Sequence, residues 1–250
     1  MKKITINPAL AIRQQKLFEG LDEALLKQLE SLVRFQYFQD RQIVLHQGTL
    51  GEALVLVVSG RLQAISFSED GREVGIHFLE PGDFYGEVSV IDGQPIASSL
   101  VSLADTVVGY LPKVTSHELM TRHPLVAERV MRHLCKMIRD GSRMRAALGI
   151  ARAHARIFSV LNNTVTRQAG GNLVTIENMP TQQALAMMAN VSRESVSRAL
   201  QMLIKQGVVE KDHRRLIVRQ PQVLETLASG VEGKITQPET ATAAPSVPLA

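Results

Sequence analysis

Residues 179–209, MPTQQALAMMANVSRESVSRALQMLIKQGVV, admit few folds. Thr181 is a good helix N-cap, and Gln182, Gln183 and Ala184 open a helix without β-branched crowding. Ala184, Leu185, Met188 and Ala189 share one face at helical spacing. Ala189-Asn190-Val191 then makes a turn, with a small residue and a left-handed-tolerant Asn where two helices pass closely. Ser192 caps a second helix whose Val196, Leu200 and Leu203 point inward, leaving Arg193, Glu194, Ser197 and Arg198 outward. This reads as a helix-turn-helix, and such a division of faces is what a helix in the DNA major groove needs.

The outward side chains have defined uses. Arg bonds bidentately to guanine O6/N7, Glu accepts from cytosine N4, and Ser197 serves a base edge or a phosphate. The plainer alternative is a solvated helix face carrying an i, i+4 pair, Glu194–Arg198. Gly207 ends the helix. Val208-Val209 and Leu216-Ile217-Val218 then form two short strands around Lys211–Arg215, a wing with a basic tip suited to phosphate. Charge supports a polyanionic partner: residues 141–220 hold twelve Arg and Lys against four carboxylates, a balance of roughly +8.

Upstream, 17–34 reads as a helical lead-in with Asp22 as N-cap and Leu25, Leu26, Leu29, Leu32 and Val33 on one face. From Phe35 to about Lys113 the pattern changes to short strands punctuated by glycines: 42–45, 54–58 and 73–79, with SEDGRE (68–73) as a hairpin turn. A closed or double-layered β structure follows. Pro124 to about Leu148 is a long helix. Val126 or Val130, Leu134, Met137, Gly141, Met144 and Leu148 form a narrow apolar seam, more typical of a dimer interface than of a core helix. Residues 151–165 give another helix with Ile157, Phe158, Val160 and Leu161 inward. Residues 168–172 are a turn into a strand at 173–176, and the Ala/Thr/Pro-rich end from about Ser229 is expected to be disordered.

With SRESVSR in the second helix, VVSGRL and LEPGDFYGE as glycine turns, and this domain order, the chain resembles the CRP/FNR family of bacterial transcription regulators over nearly its whole length. The resemblance implies an α+β architecture: a cyclic-nucleotide-binding-type β-roll with an N-terminal helix (1–123), a dimerisation helix (124–149), a winged helix-turn-helix (150–228) and a tail (229–250). It implies a homodimer binding a palindrome in double-stranded DNA with GTGA-like half-sites, contacts to bases and phosphates from Arg193, Glu194 and Arg198, and RNA polymerase as a further partner.

It also frames the ligand question. In nucleotide-binding relatives the glutamate matching Glu87, after Gly86, holds the ribose hydroxyl, and an Arg-Ser pair neutralises the cyclic phosphate. Here that pair reads Ile96-Ala97. Losing a charge-assisted bond of about 1.5–3 kcal/mol argues against the usual mode of cyclic AMP binding. Ser98 and Ser99 offer neutral hydrogen bonds only, and Glu87 can equally cap its own turn. Where adenine-binding relatives place polar residues, this chain has Gly141-Ser142, retaining only Ser142. Arg139, Asp140 and Arg143 form a charged cluster nearby. Arg stacks on purines and Asp accepts from guanine's N1–H and N2–H₂, so cyclic di-GMP or another cyclic nucleotide is a candidate effector, with solvated helix charges as the alternative.

Other classes find little support. Cys135 is the single cysteine, which excludes a disulfide framework, an all-Cys metal site and the cluster-binding branch of the family. His117 with His123 or His133 lacks metal-ligand spacing. No nucleophile elbow or phosphate-cradling loop supports a nucleotide-processing enzyme. The hydrophobic content of 45% supports real cores, no apolar run spans a membrane, and MKKITINPALAIRQQ has no signal-like core, so a cytoplasmic location without catalytic or metal residues is expected. An effector-independent regulator with a degenerate β-roll is the remaining rival.

Overall fold

The run Leu54-Val55-Leu56-Val57 is apolar at four successive positions because its strand is covered on both faces. Leu54 and Leu56 join a core shared with helices, while Val55 and Val57 join a core between two sheets, sorted by the two-residue period of a strand. This computed structural model describes residues 6–67, 73–167, 174–176, 179–213 and 215–230. In chain order they form α1 (Pro8–Arg13), α2 (Glu23–Leu32), β1 (Arg34–Phe38), β2 (Ile43–Leu45), β3 (Ala53–Ser59), β4 (Leu62–Phe67), β5 (Glu73–Leu79), β6 (Phe84–Tyr85), α3 (Glu87–Asp92), β7 (Ser99–Ser102) and β8 (Thr106–Pro112). There follow α4 (Lys113–Arg122), α5 (Pro124–Leu148), α6 (Ala153–Asn163), β9 (Thr166–Arg167), β10 (Val174–Ile176), α7 (Gln182–Ala189), α8 (Arg193–Lys205), β11 (Val209–Asp212), β12 (Arg215–Val218) and α9 (Pro221–Ala228).

The chain divides into two units, 1–146 with 181–193, and 147–180 with 194–250. In the first, two four-stranded sheets run β1-β8-β3-β6 and β2-β7-β4-β5. Every described pairing is antiparallel, and β4 meets β5 from Leu62↔Leu79 to Phe67↔Glu73 with one register shift between Ala64 and Ile65. The expected SEDGRE turn falls largely on 68–72, outside the described residues. Gly60 turns the chain between β3 and β4 at φ +85°, where a Cβ would stand 2.5 Å from the Asp105 carbonyl oxygen, so only glycine fits.

Helices cover the outer face of β3 and β8. The single lead-in helix expected over 17–34 is instead a 3₁₀ turn at Lys16–Phe18, a break at Gly20 (φ +73°) and α2. Asp22 caps α2 by accepting from Leu25 N at 2.9 Å. The six-residue α1, capped by Asn7, has no counterpart among the expected elements. Helix α5 has the expected limits and runs through Gly141 without a break. Its seam needs correcting: Val126 and Val130 are buried against Leu17, Leu29 and Leu111, so they belong to the unit's own core. Leu148 (38% exposed), at the far end of the expected seam, stays open, and off the seam α5 also exposes Met131 (58%) and Ile138 (67%), one heptad apart.

In the second unit, α6 buries Ile157, Phe158, Val160 and Leu161 as its pattern required. A sheet ordered β11-β12-β10-β9 gives the wing, with Val209↔Val218 and Asp212↔Arg215 in register. The expected turn at 168–172, Leu173, Arg214 and the tail beyond Gly230 lie outside the described residues. Helix α9, opened by Pro221 and burying Leu224 and Ala228, adds an element where none was expected.

Candidate functional site

The first candidate site is built on the α7–turn–α8 stretch. Thr181 Oγ1 accepts from Ala184 N at 3.1 Å and starts α7. Asn190 stops it in the left-handed conformation (φ 49°, ψ 58°), and Val191 N closes a Schellman-type bond to Ala186 O at 3.0 Å. Val196, Ala199 and Leu203 are fully buried, so the innermost row of α8 runs through Ala199, with Leu200 half-buried at its border. Opposite, Ser192, Arg193, Glu194 and Arg198 are exposed and Ser197 half-exposed. Gly207 (φ 68°) ends the helix, with Val208 N bonded to Leu203 O. Two guanidinium groups and a carboxylate on adjacent turns can read base edges in a groove.

The wing carries less free charge than its composition suggests. Its strands extend to Asp212 and Arg215, so four of the five residues expected in the tip at 211–215 are described, and of these only His213 lies outside a strand. Arg215 pairs with Asp212 at 2.5 Å, and Arg219 holds Glu210 through two nitrogens at 2.7 and 2.9 Å. Lys211 remains exposed beside the tip.

The second candidate site is a cavity of about 160 Å³ in the first unit, lined by Ile76, His77, Tyr85, Gly86, Glu87, Val88, Ser89, Ile96, Ala97, Ser98 and Met137. Gly86 (φ 94°) swings the chain into α3, which directs Glu87 inward until it is 0% exposed. The carboxyl does not cap its own turn: neither oxygen has a hydrogen-bond partner. His133 Nε2 lies 3.5 Å from Glu87 Oε1, an ion-pair distance without hydrogen-bond alignment. The His133 ring packs on Phe84, centroids 4.5 Å apart. His77, from β5, tilts against Tyr85 at 5.9 Å, and burial above all holds its pKa below the ordinary imidazole value, partly opposed by Glu87, Asp140 and Asp83. Tyr85 donates its hydroxyl to Ser98 O at 3.2 Å and also meets Ser98 Oγ; burial pushes its pKa up.

Of the expected effector residues, Gly86, Glu87 and Ser98 line this cavity. Ser99 is buried but accepts from Gln47 N at 3.0 Å. Arg139, Asp140, Ser142 and Arg143 are absent from the cavity wall. Asp140 pairs with Arg143 at 3.4 Å, and Ser142 donates to Ile138 O at 2.9 Å. Ile96, 2% exposed, is a core residue facing the cavity. Nothing in the sequence points to His77, and His133 enters only as a loosely spaced companion of His117; on β5 and α5 the two have no spacing between them to notice. Among the described residues no group of three or more His, Cys, Asp or Glu side chains is placed to hold a metal ion. No described helix is long and apolar enough to cross a membrane.

Comparison with known proteins places both sites in context. Residues 35–123 match the family model described as a cyclic nucleotide-binding domain, and residues 128–227 the one described as a Crp-like helix-turn-helix domain. The chain is 31% identical over 215 residues to the cyclic AMP receptor protein of Thermus thermophilus, covering 86% of this chain and 97% of that one. It is 23% identical to the CRP-like cAMP-activated global transcriptional regulator of Mycobacterium tuberculosis, over 81% and 91% of the two chains. Among solved structures it is similar to FixK2 from Bradyrhizobium japonicum, with a TM-score of 0.67 at 20% identity, covering 80% of this chain and 99% of that one.

Proposed function

The chain belongs to the CRP/FNR family of DNA-binding transcription regulators, and from that premise we propose that it acts as a cytoplasmic homodimer reading a palindromic DNA duplex under control of a small effector. The observation that carries the DNA reading is the exposed leading face of α8, with Arg193, Glu194, Ser197 and Arg198 together after a well-formed turn. Arg193 and Glu194 specify G·C pairs, and Arg198 takes a base or phosphate. Two-fold symmetry puts the half-sites about one helical turn apart. The relative from Mycobacterium tuberculosis is a cAMP-activated global transcriptional regulator, which favours a binding role over catalysis, with RNA polymerase as a further partner.

The exposed Met131 and Ile138 of α5 supply the apolar stripe for pairing with a second copy. The effector sits in the cavity at Glu87, since a buried carboxyl without a partner is costly unless a ligand supplies donors. His133 and Met137 both ride on α5, so occupation biases that helix between two arrangements and changes the spacing of the recognition helices.

Fluorescence anisotropy of a labelled TGTGA-type palindrome tests the DNA reading. Competitor-resistant binding that weakens steeply with salt is expected. Equal affinity for a scrambled duplex would refute it.

A further inference from the structure

The polar atoms around the cavity form an unusual set. Both Glu87 oxygens, His77 Nε2 and His133 Nε2 are buried, and none has a hydrogen-bond partner. Tyr85 and Ser98 satisfy each other. No lysine or arginine lines the wall; Ser89 adds one hydroxyl, and Ile76, Val88, Ile96, Ala97 and Met137 are apolar. The space, about 160 Å³, equals roughly five water molecules at liquid density and falls below the usual range for drug-sized ligands.

A phosphate placed here would face a carboxyl group, with Ile96 and Ala97 unable to supply a compensating cation. Desolvating its charge without a partner is prohibitive. A molecule with hydrogen-bond donors meets the opposite situation: each donor fills an acceptor that now stands empty, and its apolar body covers the aliphatic wall. Resting on the reading that this cavity holds the effector, we propose that the effector is a small organic molecule without negative charge. It carries an amine or hydroxyl head on a body of about one ring, with the head bonded to Glu87 and flanked by His77, while His133 stands against Glu87 without lining the wall. Its arrival replaces the unaligned Glu87–His133 approach with bonded contacts, which is how helix α5 reads it.

The test uses the full-length protein and four probes: benzylamine, phenol, benzoate and cyclic AMP. Benzylamine and benzoate are similar in size and opposite in charge, and phenol separates a neutral donor from a cationic one. Ligand-observed NMR gives the affinities, with circular dichroism melts to establish folding. Benzylamine or phenol is expected to bind at least about tenfold more tightly than benzoate or cyclic AMP. Glu87→Gln is expected to lose about tenfold, and His133→Gln to show the same probe order more weakly should Glu87→Gln fail to fold. Benzoate or cyclic AMP binding as well as the donors, no probe binding at several millimolar, or undiminished binding by folded Glu87→Gln each overturn the proposal. Anisotropy on the TGTGA palindrome in the same samples keeps the two readings apart. Specific DNA binding without donor-probe binding sinks the effector class alone, whereas absence of specific DNA binding sinks the proposed palindrome reading.

Discussion

His133 Nε2, on α5, stands 3.5 Å from Glu87 Oε1, on α3, and neither atom has a hydrogen-bond partner. The pair joins the turn that follows β6 to the helix with the exposed Met131 and Ile138. A change at Glu87 therefore reaches α5 through one side-chain contact, without passing through the sheets.

Acid should weaken the fold through the neighbouring His77. Burial is the largest cause lowering its pKa below 6.5, opposed by Glu87, Asp140 and Asp83 and reinforced by His133. The unfolded chain thus takes up this proton first as pH falls, so the stability conferred by neutral His77 is fully present above 6.5 and declines below it. Urea melts of wild type and His77→Gln between about pH 8 and pH 5 isolate the effect. The wild type should lose stability relative to the variant below pH 6.5; parallel curves would show that His77 contributes no such linkage.

The α5 stripe predicts the assembly. Ile138→Asp places a charge where a partner's apolar residue is proposed, while Ile138, 67% exposed in the single chain, makes little demand on its own core. Sedimentation equilibrium should find wild type dimeric and Ile138→Asp shifted towards monomer, with helicity retained. An unshifted dimer would move the interface elsewhere.

The turn before α8 is testable through Asn190, whose φ of 49° suits Gly and penalises β-branched residues. Asn190→Gly should keep stability and DNA binding, whereas Asn190→Val should cost about 1–2 kcal/mol in urea unfolding. Equal stability of the two variants would contradict the left-handed turn.

Much of this was legible from residues alone, for reasons that also explain the failures. The 54–58 run was readable as a strand from its composition, and Pro124 with its long three-and-four spacing located α5. Periodicity identifies an apolar face but not what covers it, so the seam opens on Val126 or Val130, both of which lie in the core with Leu17, Leu29 and Leu111. Glu87 could be singled out only through family resemblance, while His77 and His133 converge through tertiary folding that no local spacing encodes. The wing's basic composition hid its pairing, because Asp212 and Glu210 neutralise Arg215 and Arg219 across two strands.

If α8 reads sequence as proposed, Arg193→Ala should change base discrimination. Anisotropy would be measured for wild type and variant on a TGTGA palindrome and on duplexes with each half-site base pair changed in turn. The variant should lose about 1–3 kcal/mol of affinity on the palindrome and discriminate less at one symmetric base-pair position. A uniform loss across all duplexes would make Arg193 a phosphate contact, and an unchanged profile would contradict α8 as the reading element.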